Sequence, residues 1–122
     1  MSLRLYQIAV DAHDPIAQGR WWAEALGWQV LEEEDGDPVS IIGADEHSYP
    51  GIIFIGVPDE KVIKNRLHLD FDPDDRDAEV TRLLAMGATA VDIGQGEVTW
   101  VVLADPEGNE FCVLRPHESL IE

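Results

Sequence analysis

The chain repeats itself, and the repeat limits its folds more than any other feature. Gly27 and Gly87 each close a candidate helix, in "ALGWQV" and "AMGATA", and stand close to 60 residues apart. Leu5 matches Leu67 and Gln7 matches His68 at nearly the same offset. A unit of this length, copied once, points to a module that cannot bury its own sheet face alone. Each copy reads as strand, helix and three further strands. In the first copy the strands are expected at 3–10, 28–33, 39–43 and 52–57. Asp14-Pro15 starts the helix, with Asp as N-cap and Pro at the first helical position. Ala17, Trp21 and Ala25, flanked by Trp22 and Leu26, form its expected apolar stripe. In the second copy strands are expected at 65–71, 89–93, 98–103 and 111–115. Asp74 or Asp75 caps a helix whose apolar face carries Val80, Leu83 and Leu84. The charged stretch from Pro58 to Lys64 connects the two copies. The expectation is one domain over 1–122, with modules at about 3–58 and 64–116.

The strand "NRLHLDFD" opens the second copy and alternates in character. Leu67, Leu69 and Phe71 are apolar; Arg66, His68, Asp70 and Asp72 are not. A period of two gives a strand with two unlike faces, so His68 and Asp70 share one.

Composition removes several classes of function. With 25 acidic residues against 8 basic, the net charge is −17. Such a surface repels phosphate backbones and anionic membranes, so neither nucleic acid nor membrane is an expected partner. A cationic ligand would be attracted. No apolar run approaches the roughly 20 residues of a membrane-spanning helix. Cys112 is the single cysteine, which removes internal disulfides and a cysteine-built zinc cage and suits a reducing, cytoplasmic setting. There is no HExxH, GxSxG or phosphate-loop pattern.

The doubled βαβββ pattern, with "WWAEALGW", "NRLHLDFD" and above all "VVLADPEGNEFCVL", resembles the glyoxalase/bleomycin resistance/extradiol dioxygenase group, the vicinal oxygen chelate superfamily. The likeness runs from about Leu3 to Arg115. It implies an α+β fold in which two tandem βαβββ modules form a curled, mixed eight-stranded sheet around a cleft, helices outside. It also implies a homodimer. Metal-dependent members of the group place His or Gln, Glu, His and Glu in that cleft. Matched residue by residue, Gln7 takes the first position and His68 the third, while Phe54 and Cys112 stand where the two Glu are expected.

Hard divalent metals prefer anionic oxygen donors, and both carboxylates are missing from that set. No cofactor is therefore expected; the alternative is a divalent metal at a reduced site of Gln7 and His68, with Asp70 or Cys112 nearby. The ligand-facing residues are expected to be Gln7, Phe54, His68, Asp70, Trp100 and Cys112. His68 orients a ligand or acts as general base. Trp100 either stacks on a planar ligand or packs in the core, and Cys112 is equally readable as a small buried hydrophobe. Three functions stay open. The first is a metal-free small-molecule binder, as in the resistance or sequestration branch. The second is a lyase, isomerase or dioxygenase of the same superfamily. The third is a non-catalytic partner-binding module.

Overall fold

The computed structural model describes residues 2–121. The chain divides into two compact units, Met1–Glu60 and Lys61–Glu122. The first contains β1 (Gln7–Ala12), α1 (Pro15–Leu26), β2 (Gln29–Glu34), β3 (Val39–Gly43) and β4 (Gly51–Gly56). The second contains β5 (Leu69–Phe71), α2 (Arg76–Ala85), β6 (Thr89–Ala90), β7 (Val101–Ala104) and β8 (Glu110–Val113). The βαβββ pattern thus occurs twice in an α+β chain. The eight strands form two four-stranded sheets, ordered β1-β4-β3-β2 and β5-β8-β7-β6. In each, the outer first strand runs parallel to the last strand, and the other pairs are antiparallel.

Both helices begin as their sequences dictate. The Asp14 carboxylate accepts from the Ala17 N–H at 3.1 Å, with Pro15 just inside the helix. Asp75 does the same for Ala78 at 3.1 Å, so it and not Asp74 is the cap. These bonds satisfy N–H groups that no helical carbonyl can reach. Gly27, at φ 66°, ends α1 in the left-handed region, and the Trp28 N–H then returns to the Ala23 carbonyl at 2.8 Å. Gly87, at φ 109°, plays the matching part after α2.

The buried stripe of α1 differs from the expected one. Pro15, Gln18, Gly19, Trp22 and Ala23 face inward, whereas Ala17 is exposed and Trp21 half-buried. The reason is close packing. A Cβ on Gly19 would lie 2.0 Å from Ser40 Oγ and 2.6 Å from Ser40 Cβ, so only glycine lets α1 approach β3 this closely. A count of apolar residues misses a stripe built partly on glycine. On α2, Leu83 is buried but Leu84 is exposed.

The strands of the second unit are shorter than their apolar patterns suggest. Around Gly94 and Gly96, side chains take over the backbone donors. Gln95 Oε1 accepts from the Ile93 N–H and Asp92 Oδ1 from the Gly94 N–H, each at 2.8 Å. Such local bonds compete with a sheet ladder, and β6 stops at Ala90. Val98 and Trp100 precede β7, and His68 precedes β5 by one residue.

The tight approach at Gly19 can be tested directly. Alanine normally favours a helix over glycine by about 1 kcal/mol, but overpacking costs about 1–3 kcal/mol. Because Ser40 Cβ is fixed to its strand, the clash dominates. Gly19→Ala is expected to lower unfolding stability by about 1–2 kcal/mol in a denaturant titration; equal or higher stability would refute this packing.

Candidate functional site

In unit 1 the parallel pairing of β1 with β4 sets which side chains share a face. Gln7 pairs with Gly51, Ala9 with Ile53 and Val10 with Phe54. Ser40 on β3 also pairs with Phe54. Phe54 is 1% exposed, and the ring lies beside Gly19 of α1, on Ser40's side of the sheet. It is therefore a core residue beneath the helix, and burying a side chain of that size contributes about 2–3 kcal/mol. This corrects the expectation that Phe54 shares a face with Gln7. The residue that does is Ile53, which with Ile41 and Ile55 makes a partly exposed aliphatic surface on the side away from α1. Glu32 and Glu34 pair with Ile41 and Val39 along its edge.

The run "GIIFI" explains the difference. It is apolar throughout, so it carries no period-two phase, and its register comes only from pairing with Gln7–Ala12. Ala9 pairs with Ile53 as Asp70 pairs with Cys112, which makes Ile53 the counterpart of Cys112.

The entrance to β1 and β4 is held by polar and aromatic contacts. The Asp45 carboxylate accepts from the N–H groups of His47 and Ser48 and from the Ser48 hydroxyl, at 2.7–2.9 Å. The His47 N–H, then the two Ser48 donors, hold Asp45 below its ordinary pKa. Past this turn the Tyr49 ring meets the Tyr6 ring at 5.8 Å, and the Arg4 guanidinium lies over Tyr49 at 5.9 Å. The Gly51 N–H donates to the Tyr6 carbonyl, so these groups sit at the strand end that carries Gln7.

In unit 2 the pairing divides the side chains the same way. Leu69, Phe71, Phe111, Val113 and Leu103 share one face, where the Phe71 and Phe111 rings meet edge-on at 5.8 Å. Asp70, Cys112 and Val102 share the other. Asp70 is exposed and Cys112 buried. Burial first, then the charge and hydrogen bonding of Asp70, push the Cys112 thiol from 9.0 up to about 11. The thiol is therefore less acidic than an ordinary cysteine, which makes it a poorer nucleophile.

His68 lies at the approach to this face. Its Nε2 stands 2.8 Å from the Asn65 carbonyl oxygen. A carbonyl cannot donate, so Nε2 carries the hydrogen in that bond and Nδ1 is left as the basic nitrogen. Trp100 stands just ahead of β7 and is 39% exposed.

One residue here had no warning in the sequence reading. Glu110 lies two residues before Cys112 and is 8% exposed. Its carboxylate accepts from Lys61 Nζ at 2.9 Å and from the Asn65 N–H at 3.0 Å. Burial alone would raise its pKa, yet the bonds from Lys61 and Asn65 outweigh that and leave it below its ordinary value. The expected strand began at Phe111, so Glu110 read as a turn residue, whereas it is the first residue of β8 and nearly buried. Among the described residues no three His, Cys, Asp or Glu side chains stand together in a way that could hold a metal ion.

A chain built of two βαβββ units, with polar side chains on the β1 and β5 strand faces, has the architecture of the vicinal oxygen chelate superfamily. The family model for the glyoxalase-like domain matches residues 7–114, and the chain belongs to that family. No functionally curated protein matches it. Solved structures share the fold. A glyoxalase/bleomycin resistance protein/dioxygenase family enzyme from Burkholderia phytofirmans PsJN is similar at 21% identity and TM-score 0.73, over 94% of this chain and all of that one. The trypanothione-dependent glyoxalase I of Leishmania major is similar at 20% identity and TM-score 0.72, over 93% of this chain and 87% of that one. TnmS3, an antibiotic binding protein from Streptomyces sp. CB03234, is similar at 16% identity and TM-score 0.64, over 96% of this chain and 99% of that one.

The Asp70–Cys112 pair gives a clear pH signature. The fold favours the protonated thiol, so its contribution to stability is whole below pH 9.0 and is lost as pH rises toward about 11. Asp70→Asn removes the charge of Asp70 and leaves only a neutral acceptor, while burial stays. The thiolate absorbance of Cys112 is then expected to titrate at lower pH than in the parent. An unshifted midpoint would mean that burial alone sets the value.

Proposed function

We propose that this protein binds a small molecule without a catalytic metal, the Gln7 face of unit 1 and the His68 face of unit 2 each being a candidate surface. The observation that carries the reading is the donor type at the Cys112 position. The resemblance expects a carboxylate there, and the chain offers a buried thiol paired with Asp70. The counterpart position in unit 1 holds Ile53, which donates nothing. Gln7 is a neutral donor, and His68 has committed one ring nitrogen to Asn65. A hard divalent ion would find little of the anionic oxygen it prefers. The aliphatic surface of Ile41, Ile53 and Ile55 suits an apolar ligand body, with the Gln7 amide to orient it. The net charge of −17 favours a neutral or cationic ligand over an anionic one. A fold neighbour that is an antibiotic binding protein supports this reading.

A second reading, a metal-free enzyme of the superfamily, is favoured by one contact. With Nε2–H bonded to Asn65, His68 presents Nδ1 as a group able to take a proton. Fold neighbours that are enzymes support it.

Two measurements separate these. Protein purified without chelator is expected to carry substoichiometric metal, and added Ni²⁺, Mn²⁺, Fe²⁺ or Zn²⁺ should leave its melting temperature unchanged. Stoichiometric metal lost on His68→Ala would overturn the metal-free reading. A thermal-shift screen with cationic antibiotics, catechols and methylglyoxal–thiol adducts tests the ligand. A true ligand at a hundred times its Kd stabilises by about 2.7 kcal/mol. That shift should shrink in Gln7→Ala for a ligand on the unit 1 face and in His68→Ala for one on the unit 2 face; turnover of the same compound that disappears in His68→Ala would favour the enzyme.

A further inference from the structure

We infer that Glu110 is a positioning residue for His68, acting through the backbone of Asn65. The inference rests on reading His68 as ligand-facing, but its geometry does not depend on what the ligand is.

The segment that delivers His68 has little else to hold it. Residues 61–68 form no helix or strand. Its apolar side chains do not anchor it, for Val62, Ile63 and Leu67 are 90%, 77% and 83% exposed. Its fixed points are polar and converge on the β7–β8 turn and the first residue of β8. Lys61 Nζ donates to Glu110 Oε1 at 2.9 Å, and the Asn65 N–H donates to Glu110 Oε2 at 3.0 Å. Asn65 Nδ2 also donates to Asn109 Oδ1 at 3.2 Å. Asn109 is itself fixed, since its Nδ2 donates to both Asp105 oxygens at 3.0 and 3.2 Å and its N–H to Oδ1 at 2.9 Å. Asn65 is thus gripped by its N–H and its side chain, which aims its carbonyl. That carbonyl accepts from His68 Nε2 at 2.8 Å.

The chemistry of the grip explains why the carboxylate matters. Glu110 is nearly buried, and two donors, one of them charged, keep it ionised. Hydrogen bonds to an ionised acceptor are shorter and stronger than neutral ones. Asn65 therefore cannot drift without leaving a buried carboxylate half-paired. The fixed Asn65 carbonyl sets both the His68 ring orientation and its tautomer, in the way a partner on one ring nitrogen sets the role of the other. Glu110 stays two residues away from the Cys112 position and serves His68 at one remove.

The test must separate positioning from mere stability. An ion pair replaced by apolar residues of similar size often keeps its fold. Lys61→Met combined with Glu110→Leu removes the acceptor of the Asn65 N–H while avoiding an unpaired charge. The readout is the His68 Nε2–H signal in ¹H–¹⁵N NMR, assigned by its loss in His68→Gln. In the parent this proton is expected to exchange slowly with water. In the double variant, with the melting temperature within a few degrees of the parent, exchange is expected to be at least ten-fold faster. Unchanged exchange in a folded double variant overturns the inference. Should that variant not fold, Glu110→Gln keeps the volume and offers only a neutral acceptor; several-fold faster exchange supports positioning, and an unchanged rate overturns it. Ligand binding by His68→Ala is a separate measurement. If that variant binds as the parent does while Glu110 still controls the His68 proton, the positioning stands and the binding reading falls.

Discussion

In each unit the first strand lies parallel to the last, and everything else about the candidate site depends on that pairing. A strand shows alternate side chains to opposite faces, so one residue of slip would exchange the two sets completely. In unit 1 the pairing of Val10 with Phe54 sends the phenylalanine under α1 and leaves Ile53 beside Gln7's face. In unit 2 the pairing of Asp70 with Cys112 brings a carboxylate onto a thiol. The two registers are the same once the repeat is aligned, which is what duplication of one module requires.

That register gives the two halves unlike chemistry on equivalent positions. Unit 1 offers an amide and an aliphatic surface, whereas unit 2 offers an imidazole, an exposed carboxylate and a protonated thiol.

Polar contacts, more than apolar ones, set the details around these faces. Asp45 organises the loop before β4, Asp105 the turn before β8, and Glu110 the segment before β5. Each is a carboxylate whose oxygens collect backbone N–H groups that no strand or helix can use. In a chain with 25 acidic residues, only a few, buried or exposed, organise the backbone in this way. The remainder give the surface its charge.

The sequence by itself determined the two modules, the helix cap at Asp14, the glycines that end both helices and the alternation of Leu69, Asp70 and Phe71, and it narrowed the second cap to Asp74 or Asp75. These are local or periodic features, and local physics fixes them: capping geometry, left-handed glycine and two-residue alternation. Tertiary structure alone decided that α1 rests on Gly19, because what it meets there is Ser40, twenty-one residues away. It also decided the phase of "GIIFI", since an unbroken apolar run has no preferred face until a partner strand supplies one. And it decided the task of Glu110, whose partners Lys61 and Asn65 lie 49 and 45 residues away in the chain. A charge can be read from a sequence, but its partner across the fold cannot.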